Sequence, residues 1–304
     1  MVGDVRCFDS VSAAADSAIP PSAPARRGFL RGCAFCAATA ATGLFSGLVE
    51  ARDGVEVGET SKFTKLVSAE QVEQMALQQY RQTLAEAQGK RALAPEGHPQ
   101  LMRLRAVAER IVPFSYEWNP RARQWRWEVN LIGSKQINAW CMPGGKIAFY
   151  TGILEQLELN DAEVAAVMGH EVAHALREHA RERMGKSTAT SIGARVGGAL
   201  IAGALGIDPR ITDYAAQGAA NLLTLKFSRE DESEADLVGI ELAARAGYNP
   251  RGGITLWEKM SAKAKGAPPQ WLSTHPAGST RIHDIEKNLP KVMPLYERAP
   301  KAPA

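Results

Sequence analysis

Cysteine is almost absent from the part of this chain that reads as a folded domain. Of 4 cysteines in 304 residues, Cys7, Cys33 and Cys36 stand in the first 51, and Cys141 is alone after them. A disulfide framework is therefore excluded for the remainder, and its stability must come from a packed core, for which 45% hydrophobic content suffices. Net charge is scarce as well, at +3. The first 51 residues hold Arg6, Arg26, Arg27 and Arg31 against Asp4, Asp9, Asp16 and Glu50, so removing them leaves the balance unchanged. That excludes the basic footprint of a nucleic-acid binder. Trp125-Arg126-Trp127 reads as alternating residues of a sheet face rather than a stacking platform. Long apolar runs are lacking too. Residues 33–48 and 188–207 are diluted by Gly, Ala and Thr, and the second carries Arg195. The second stretch places Ile192, Val196, Leu200, Ile201 and Leu205 among small residues, which predicts a buried or membrane-touching helix, with peripheral membrane association, and leaves a membrane span as the other reading.

The opening segment reads as an address. Arg26-Arg27-Gly28-Phe29-Leu30-Arg31 resembles a twin-arginine export signal, followed by a weakly apolar stretch and the small-x-small pattern Val49-Glu50-Ala51. This predicts cleavage after Ala51 and a periplasmic location. A mitochondrial transit peptide is the other reading of an Ala- and Arg-rich leader, and three aspartates before Arg26 argue against it. The CxxC of Cys33 and Cys36 lies inside this segment and is read as incidental.

What the chain does have is His170-Glu171-Val172-Ala173-His174, an HExxH run. Asn160 with Glu163 three residues on forms a capping-box pattern before it, and Gly185 is a natural stop. Val164, Val167, Met168, Val172, Ala175 and Leu176 supply an apolar stripe at helical spacing. On such a helix, imidazoles at i and i+4 reach one cation together, with Glu171 beside them. Zinc accepts neutral nitrogen ligands in this way, and a neighbouring carboxylate can take a proton from water at such a site.

Two histidines leave zinc one protein ligand short. The best donors lie in Ser228-Arg229-Glu230-Asp231-Glu232-Ser233-Glu234-Ala235-Asp236, which opens a second helix capped by Ser228 and stopped by Gly247. Leu237, Val238, Ile240, Leu242 and Ala243 would bury one side of it. Glu230, Glu232 and Glu234 compete for the metal, and composition does not choose between them.

HExxH followed by ExxxD on a later helix resembles the gluzincin metallopeptidases. The string from Phe227 through Glu232, Glu234-Ala235-Asp236 and Gly239 is similar to their family forty-eight, with its HtpX-like, CAAX-prenyl-protease-like and periplasmic BepA- or LoiP-like branches. Asn138-Ala139 with Pro143-Gly144-Gly145-Lys146-Ile147, and Ser273-Thr274-His275-Pro276 with Arg281-Ile282, match the same family. Trp140 and Cys141 depart from it, standing where smaller or plainer residues are usual. The resemblance covers residues 65–290. It implies Glu232 as the third ligand, with Asp236 one turn later orienting a ligating histidine. It places His275 near the metal cleft as a reversible fourth ligand, and Arg281 either holding that loop or stabilising the oxyanion. Glu230 and Glu234, turned about the helix from Glu232, should face elsewhere.

Along the rest of the chain, residues 52–66 lack a period and read as a linker. Helices are predicted from Ser68 to Gly89, from Pro99 to Ile111, and after Asn249-Pro250 with Ile254, Trp257 and Met260 inward. Trp125, Trp127, Val129 and Leu131 alternate as a strand, and Ile137–Met142 and Lys146–Tyr150 flank a Pro-Gly-Gly hairpin. The expected architecture is α+β: a mostly helical zincin-type metalloprotease domain over residues 67–292, with a small, largely antiparallel sheet beside the HExxH helix and a tail from 293 to 304. The expected activity is zinc-dependent cleavage of unfolded or misfolded envelope proteins, with one Zn2+ per chain. The alternative is a chaperone-like assembly factor with a latent zinc site.

Overall fold

Two buried helices cross at the centre of the molecule, and everything that positions the site is packed around them. The structure, a computed structural model, describes residues 52–190, 221–264, 269–276 and 279–302. The leader expected at 1–51, and residues 191–207 of the expected membrane-touching helix, lie outside the described residues. Among the described residues no helix is long and apolar enough to cross a membrane.

The first half supplies α1 (Ala69–Gly89), α2 (Pro99–Ile111) and a three-stranded sheet. Ser68 caps α1 by accepting from the Gln71 amide, as its sequence predicts, and α2 has the expected bounds. The strands are β1 (Glu128–Ile132), β2 (Ala139–Met142) and β3 (Lys146–Tyr150), in spatial order β1-β3-β2. The helix-dominated α+β class is as expected, but the sheet is mixed. β2 and β3 form the antiparallel hairpin, while β1 runs parallel to β3 on its other edge. Lys146 anchors that edge, its Nζ lying 2.8 Å from the Glu128 carboxylate directly across the ladder. β1 is also shorter than its alternation implies. Trp125 and Trp127 precede it, their indoles donating to Glu73 and the Ala122 carbonyl. Trp127 lies over Gly145, at φ +75°, where a Cβ would stand 2.8 Å from the indole; the turn at that position requires glycine.

After α3 (Thr151–Gln156) comes the HExxH helix, α4 (Asp161–Leu176), capped by the reciprocal Asn160–Glu163 box. It ends well before Gly185. Glu178 takes a left-handed φ of +58°, the chain kinks, and helix resumes over residues 179–190. α5 (Arg229–Arg245) follows with its own capping box between Ser228 and Asp231, and Gly247 at φ +84° just beyond its end. Then come α6 (Gly252–Lys263), α7 (Gln270–Thr274) and α8 (Ser279–Arg298). α4 packs most extensively on α5, with α6 against α4 and α8 against α5.

Both segments expected to be loose are held to this body. In residues 52–66 Val55 is buried and its amide donates to Glu241 at 2.8 Å, Arg52 pairs with the same carboxylate, and Lys62–Leu66 forms a 3-10 turn. Glu241 is wholly buried, so its charge needs these partners, and their formation fixes the strap. The expected tail at 293 is still helix: α8 runs to Arg298 with Leu295 buried, and Ala302 donates to the Gly247 carbonyl at 3.1 Å.

Candidate metal centre

His170 and His174 sit one turn apart in the last half of α4, and Glu232 and Asp236 one turn apart in the first half of α5. The capping box sets where α5 begins and therefore which carboxylates face α4. His275 comes from the end of α7 and Arg281 from the first turns of α8. All six side chains are buried, as is Glu171.

Four donor atoms converge. His170 Nε2 lies 3.1 Å from His174 Nε2 and 3.2 Å from His275 Nδ1, and Glu232 Oε1 lies 2.9 Å from His275 Nδ1 and 3.4 Å from His174 Nε2. A tetrahedral zinc with ligands at about 2.0–2.1 Å has donor–donor edges of about 3.3 Å, so the set has the right size. The chemistry of the donors agrees. Asp236 Oδ1 lies 3.0 Å from His170 Nδ1 and, being ionised, only accepts; the imidazole proton is thus on Nδ1 and the Nε2 lone pair faces the cluster. Arg281 Nη2 is also 3.3 Å from that nitrogen, but its 2.6 Å bond to Asp236 Oδ1 is the stronger contact. Burial depresses His174 well below the usual histidine range, outweighing the opposing Glu232 carboxylate, so it is neutral. Three ring nitrogens and a carboxylate oxygen packed this closely need a cation, a metal ion or shared protons, between them. The residues fit a metal.

The carboxylates are held ionised. Burial alone would raise Glu232, but the neighbouring His275 and His174 rings outweigh it and hold the group well below the carboxylate range. Asp236 follows the same pattern: burial raises it, while Arg281 and His170 bring it down. Arg281 donates to both carboxylates and stacks on Trp257, its guanidinium carbon 3.7 Å from the ring centroid. It is therefore a brace between Glu232 and its neighbour on α5. For His275 burial favours the neutral form, yet the nearby Glu171 and Glu232 charges raise it.

Glu171 points to the other side of the histidines. Its Oε1 accepts from Trp271 Nε1 at 2.6 Å and stands 3.5 Å from His275 Nε2. It borders a narrow cleft with Ala139, Cys141, Leu222 and Phe227. β2 is the sheet edge along this cleft. Asn138 and Met142 bond to the β3 side, so by alternation the backbone groups of Ala139 and Cys141 turn away from β3. Asn138 Oδ1 covers the Ala139 amide at 3.0 Å.

The structure brings together every residue expected at the site: His170, Glu171, His174, Glu232, Asp236, His275 and Arg281. Glu230 is exposed and Glu234 faces away from the four donors, as the helical turn predicts. Sequence reasoning missed Trp257, Trp271 and His179. Trp257 Nε1 donates to Asp236 at 3.2 Å, and Trp271 lies against Trp257 with ring centroids 5.2 Å apart. Trp257 was legible only as an inward residue of its helix, and nothing in the sequence ties Trp271 or His179 to the cluster.

The comparisons with known proteins agree with this geometry. The model of Peptidase family M48 matches residues 98–289. The chain is 39% identical over 155 residues to the mitochondrial metalloendopeptidase OMA1 of Arabidopsis thaliana, covering 51% of this chain and 30% of that protein. It is 32% identical over 227 residues to the protein of the same name in Schizosaccharomyces pombe, 74% of this chain and 63% of the relative. The beta-barrel assembly-enhancing protease of Escherichia coli is 28% identical over 173 residues, 54% of this chain and 35% of the relative. The chain thus spans less than two thirds of the length of each. These relatives correct the expected periplasmic location, because the more similar proteins are mitochondrial and the bacterial protease is more distant. With the family model covering most of the folded body and every motif residue at one centre, this chain belongs to peptidase family M48.

Proposed function

We propose that the chain is a zinc-dependent endopeptidase that hydrolyses peptide bonds of unfolded or misfolded proteins. The observation that carries this reading is the convergence of His170, His174 and Glu232 beside a carboxylate, Glu171, that borders a cleft with an open strand edge. His170, His174 and Glu232 would hold one zinc ion, whose contribution is Lewis-acid polarisation of the scissile carbonyl and the attacking water. Glu171 takes the proton from that water as its oxygen bonds to the carbonyl carbon, and returns it to the amine nitrogen as the C–N bond breaks. Trp271 fixes the Glu171 carboxylate for this transfer. Arg281 holds Glu232 and Asp236 in place. The outward carbonyl of Ala139 and the backbone groups of Cys141 would pair with an extended substrate, which selects for unfolded chains because it reads backbone rather than side chains. The names of the relatives, metalloendopeptidase and protease, support the same activity.

One observation favours a second reading, a binding protein whose zinc site is latent. His275 Nδ1 occupies the place of a fourth donor, and a site closed by four protein ligands has no open position for substrate. Incubating the purified chain with casein, with and without chelator, separates the two, and mass spectrometry identifies any fragments. The wild type is expected to cut casein in a chelator-sensitive manner, and Glu171→Gln to keep its zinc yet cut nothing. Metal-dependent cleavage by Glu171→Gln at the wild-type rate rejects the role of Glu171, and casein bound intact by the wild type favours the latent form.

A further inference from the structure

His179 stands nine residues after His170, beyond the kink at Glu178, and its ring turns back to the metal centre. It is buried, with its Nδ1 2.9 Å from His174 Nδ1 and its Nε2 2.9 Å from Glu234 Oε2. Arg177 Nη2 is 2.6 Å from the other Glu234 oxygen and also donates to the Gly58 carbonyl of the N-terminal strap. The three side chains therefore form a run of polar contacts that ends on the Nδ1 side of His174, away from its Nε2 in the donor cluster.

We propose that His179, oriented by Glu234, is a positioning residue that fixes the tautomer and tilt of His174 for metal binding. The inference rests on the zinc reading above. An ionised Glu234 has no proton to give, so the bond between it and His179 uses the His179 Nε2 proton. Burial works against that ionisation, but the His179 bond and the Arg177 charge hold Glu234 below its ordinary value. With its proton committed at Nε2 to Glu234, His179 meets His174 through Nδ1 as an acceptor. Between the two Nδ1 atoms there is room for one proton, and it must come from His174. His174 is left with its lone pair on Nε2, the atom 3.1 Å from His170 Nε2 and 3.4 Å from Glu232 Oε1. The opposite tautomer would aim an N–H at the cation. Phe227, stacked on His174 with ring centroids 4.0 Å apart, restrains the ring's slide but not its proton. Asp236 performs the matching task for His170, so the two imidazoles are set by different devices: a carboxylate directly, and a carboxylate through a second imidazole.

The test compares zinc affinity in the full chain, by competition with a chromophoric chelator, for the wild type, His179→Leu, His179→Asn and Glu234→Ala. Leucine fills the space without an acceptor, whereas asparagine keeps an oxygen near the place of Nδ1. The expected result is a 10–100-fold weaker affinity for His179→Leu, in the range found for other outer partners of metal-bound histidines. His179→Asn should recover most of that loss, and Glu234→Ala should weaken binding about tenfold. Melting temperatures of the chelated chains serve as the control. Equal affinity for His179→Leu and wild type overturns the proposal. So does equal loss in the leucine and asparagine variants, which would mark a packing role. Should His179→Leu fail to fold, Glu234→Ala decides the matter, since its side chain is partly exposed, and wild-type affinity there overturns the relay. A wild-type chain that takes up no zinc overturns the metal reading itself, a failure visible in its own arm.

Discussion

Gly169 and Gly239 face each other where α4 crosses α5. A Cβ on Gly169 would stand 2.5 Å from the Gly239 carbonyl oxygen, and one on Gly239 would stand 2.7 Å from the His170 amide nitrogen. No side chain fits between these backbones. The close approach lets a short carboxylate on α5 reach imidazoles on α4. Replacing either glycine with alanine is expected to push the helices apart, costing about 1–3 kcal/mol of stability by overpacking. Zinc affinity should fall with it, because the Glu232 oxygen moves with α5. Urea unfolding and zinc titration of Gly169→Ala check both, and wild-type values in each would show that the crossing is dispensable.

The crossing also marks what the sequence made legible. The helices bearing the donor cluster were readable because Asn160, Glu163, Ser228 and the apolar stripes are local signals. The choice of Glu232 over Glu230 and Glu234 needed the resemblance, since all three lie in one acidic turn. Three things were not legible, each for a physical reason. The kink at Glu178 depends on a non-glycine residue in the left-handed region, which no periodicity announces, and it hid His179. The parallel pairing of β1 with β3 is a long-range choice that alternation leaves open. The strap at 52–66 is ordered by the buried charge of Glu241, nearly two hundred residues away, rather than by a pattern of its own.

Arg281 carries the next prediction. It donates to Glu232 and Asp236 together, and all three are buried. Arg281→Met leaves two carboxylates facing each other without their cation, expected to cost about 3–5 kcal/mol. Arg281→Lys should recover little, because a single ammonium cannot reproduce the fork that serves both carboxylates. Denaturant midpoints of the two variants check this, and a fully stable lysine variant would refute it.

His275 provides a gain-of-function test. If its Nδ1 closes the fourth position in the described state, His275→Ala opens that position while His170, His174 and Glu232 keep the metal. Casein cleavage per bound zinc should rise several-fold, with zinc still at one per chain. A loss of cleavage with zinc retained would instead place His275 in the reaction.

Acid and base act on the metal-free chain in opposite senses. Asp236 is held below its ordinary value of 3.8, mainly against burial and by Arg281 and His170. In that window the unfolded chain binds protons more readily, so the stabilisation is whole above about pH 4 and is lost as pH falls through the depressed value. His275 is raised above 6.5 by Glu171 and Glu232 in spite of burial, so its share is whole below that value and fades as pH rises through the folded one. Melting temperatures of the chelated chain across pH should therefore decline on both sides. Asp236→Asn should flatten the acid limb and His275→Gln the alkaline one, and an unaltered limb in either variant rejects the corresponding assignment.

Trp271 separates proton transfer from metal binding. Its indole N–H donates to Glu171 Oε1, and its ring packs against Trp257 with no exposed surface. Trp271→Phe keeps an aromatic ring in that stack but removes the donor. Glu171 is then free to turn, and a base that samples several orientations spends less time aligned with the attacking water. General-base catalysis supplies about 10²–10⁴-fold in rate, so losing alignment alone should lower kcat by about tenfold. KM should stay the same, because the β2 edge that would seat the substrate is untouched. Zinc affinity should stay the same too, because no metal donor contacts the indole nitrogen. A fall in zinc affinity equal to the fall in kcat would mean that the tryptophan supports the cluster as a whole rather than orienting its base.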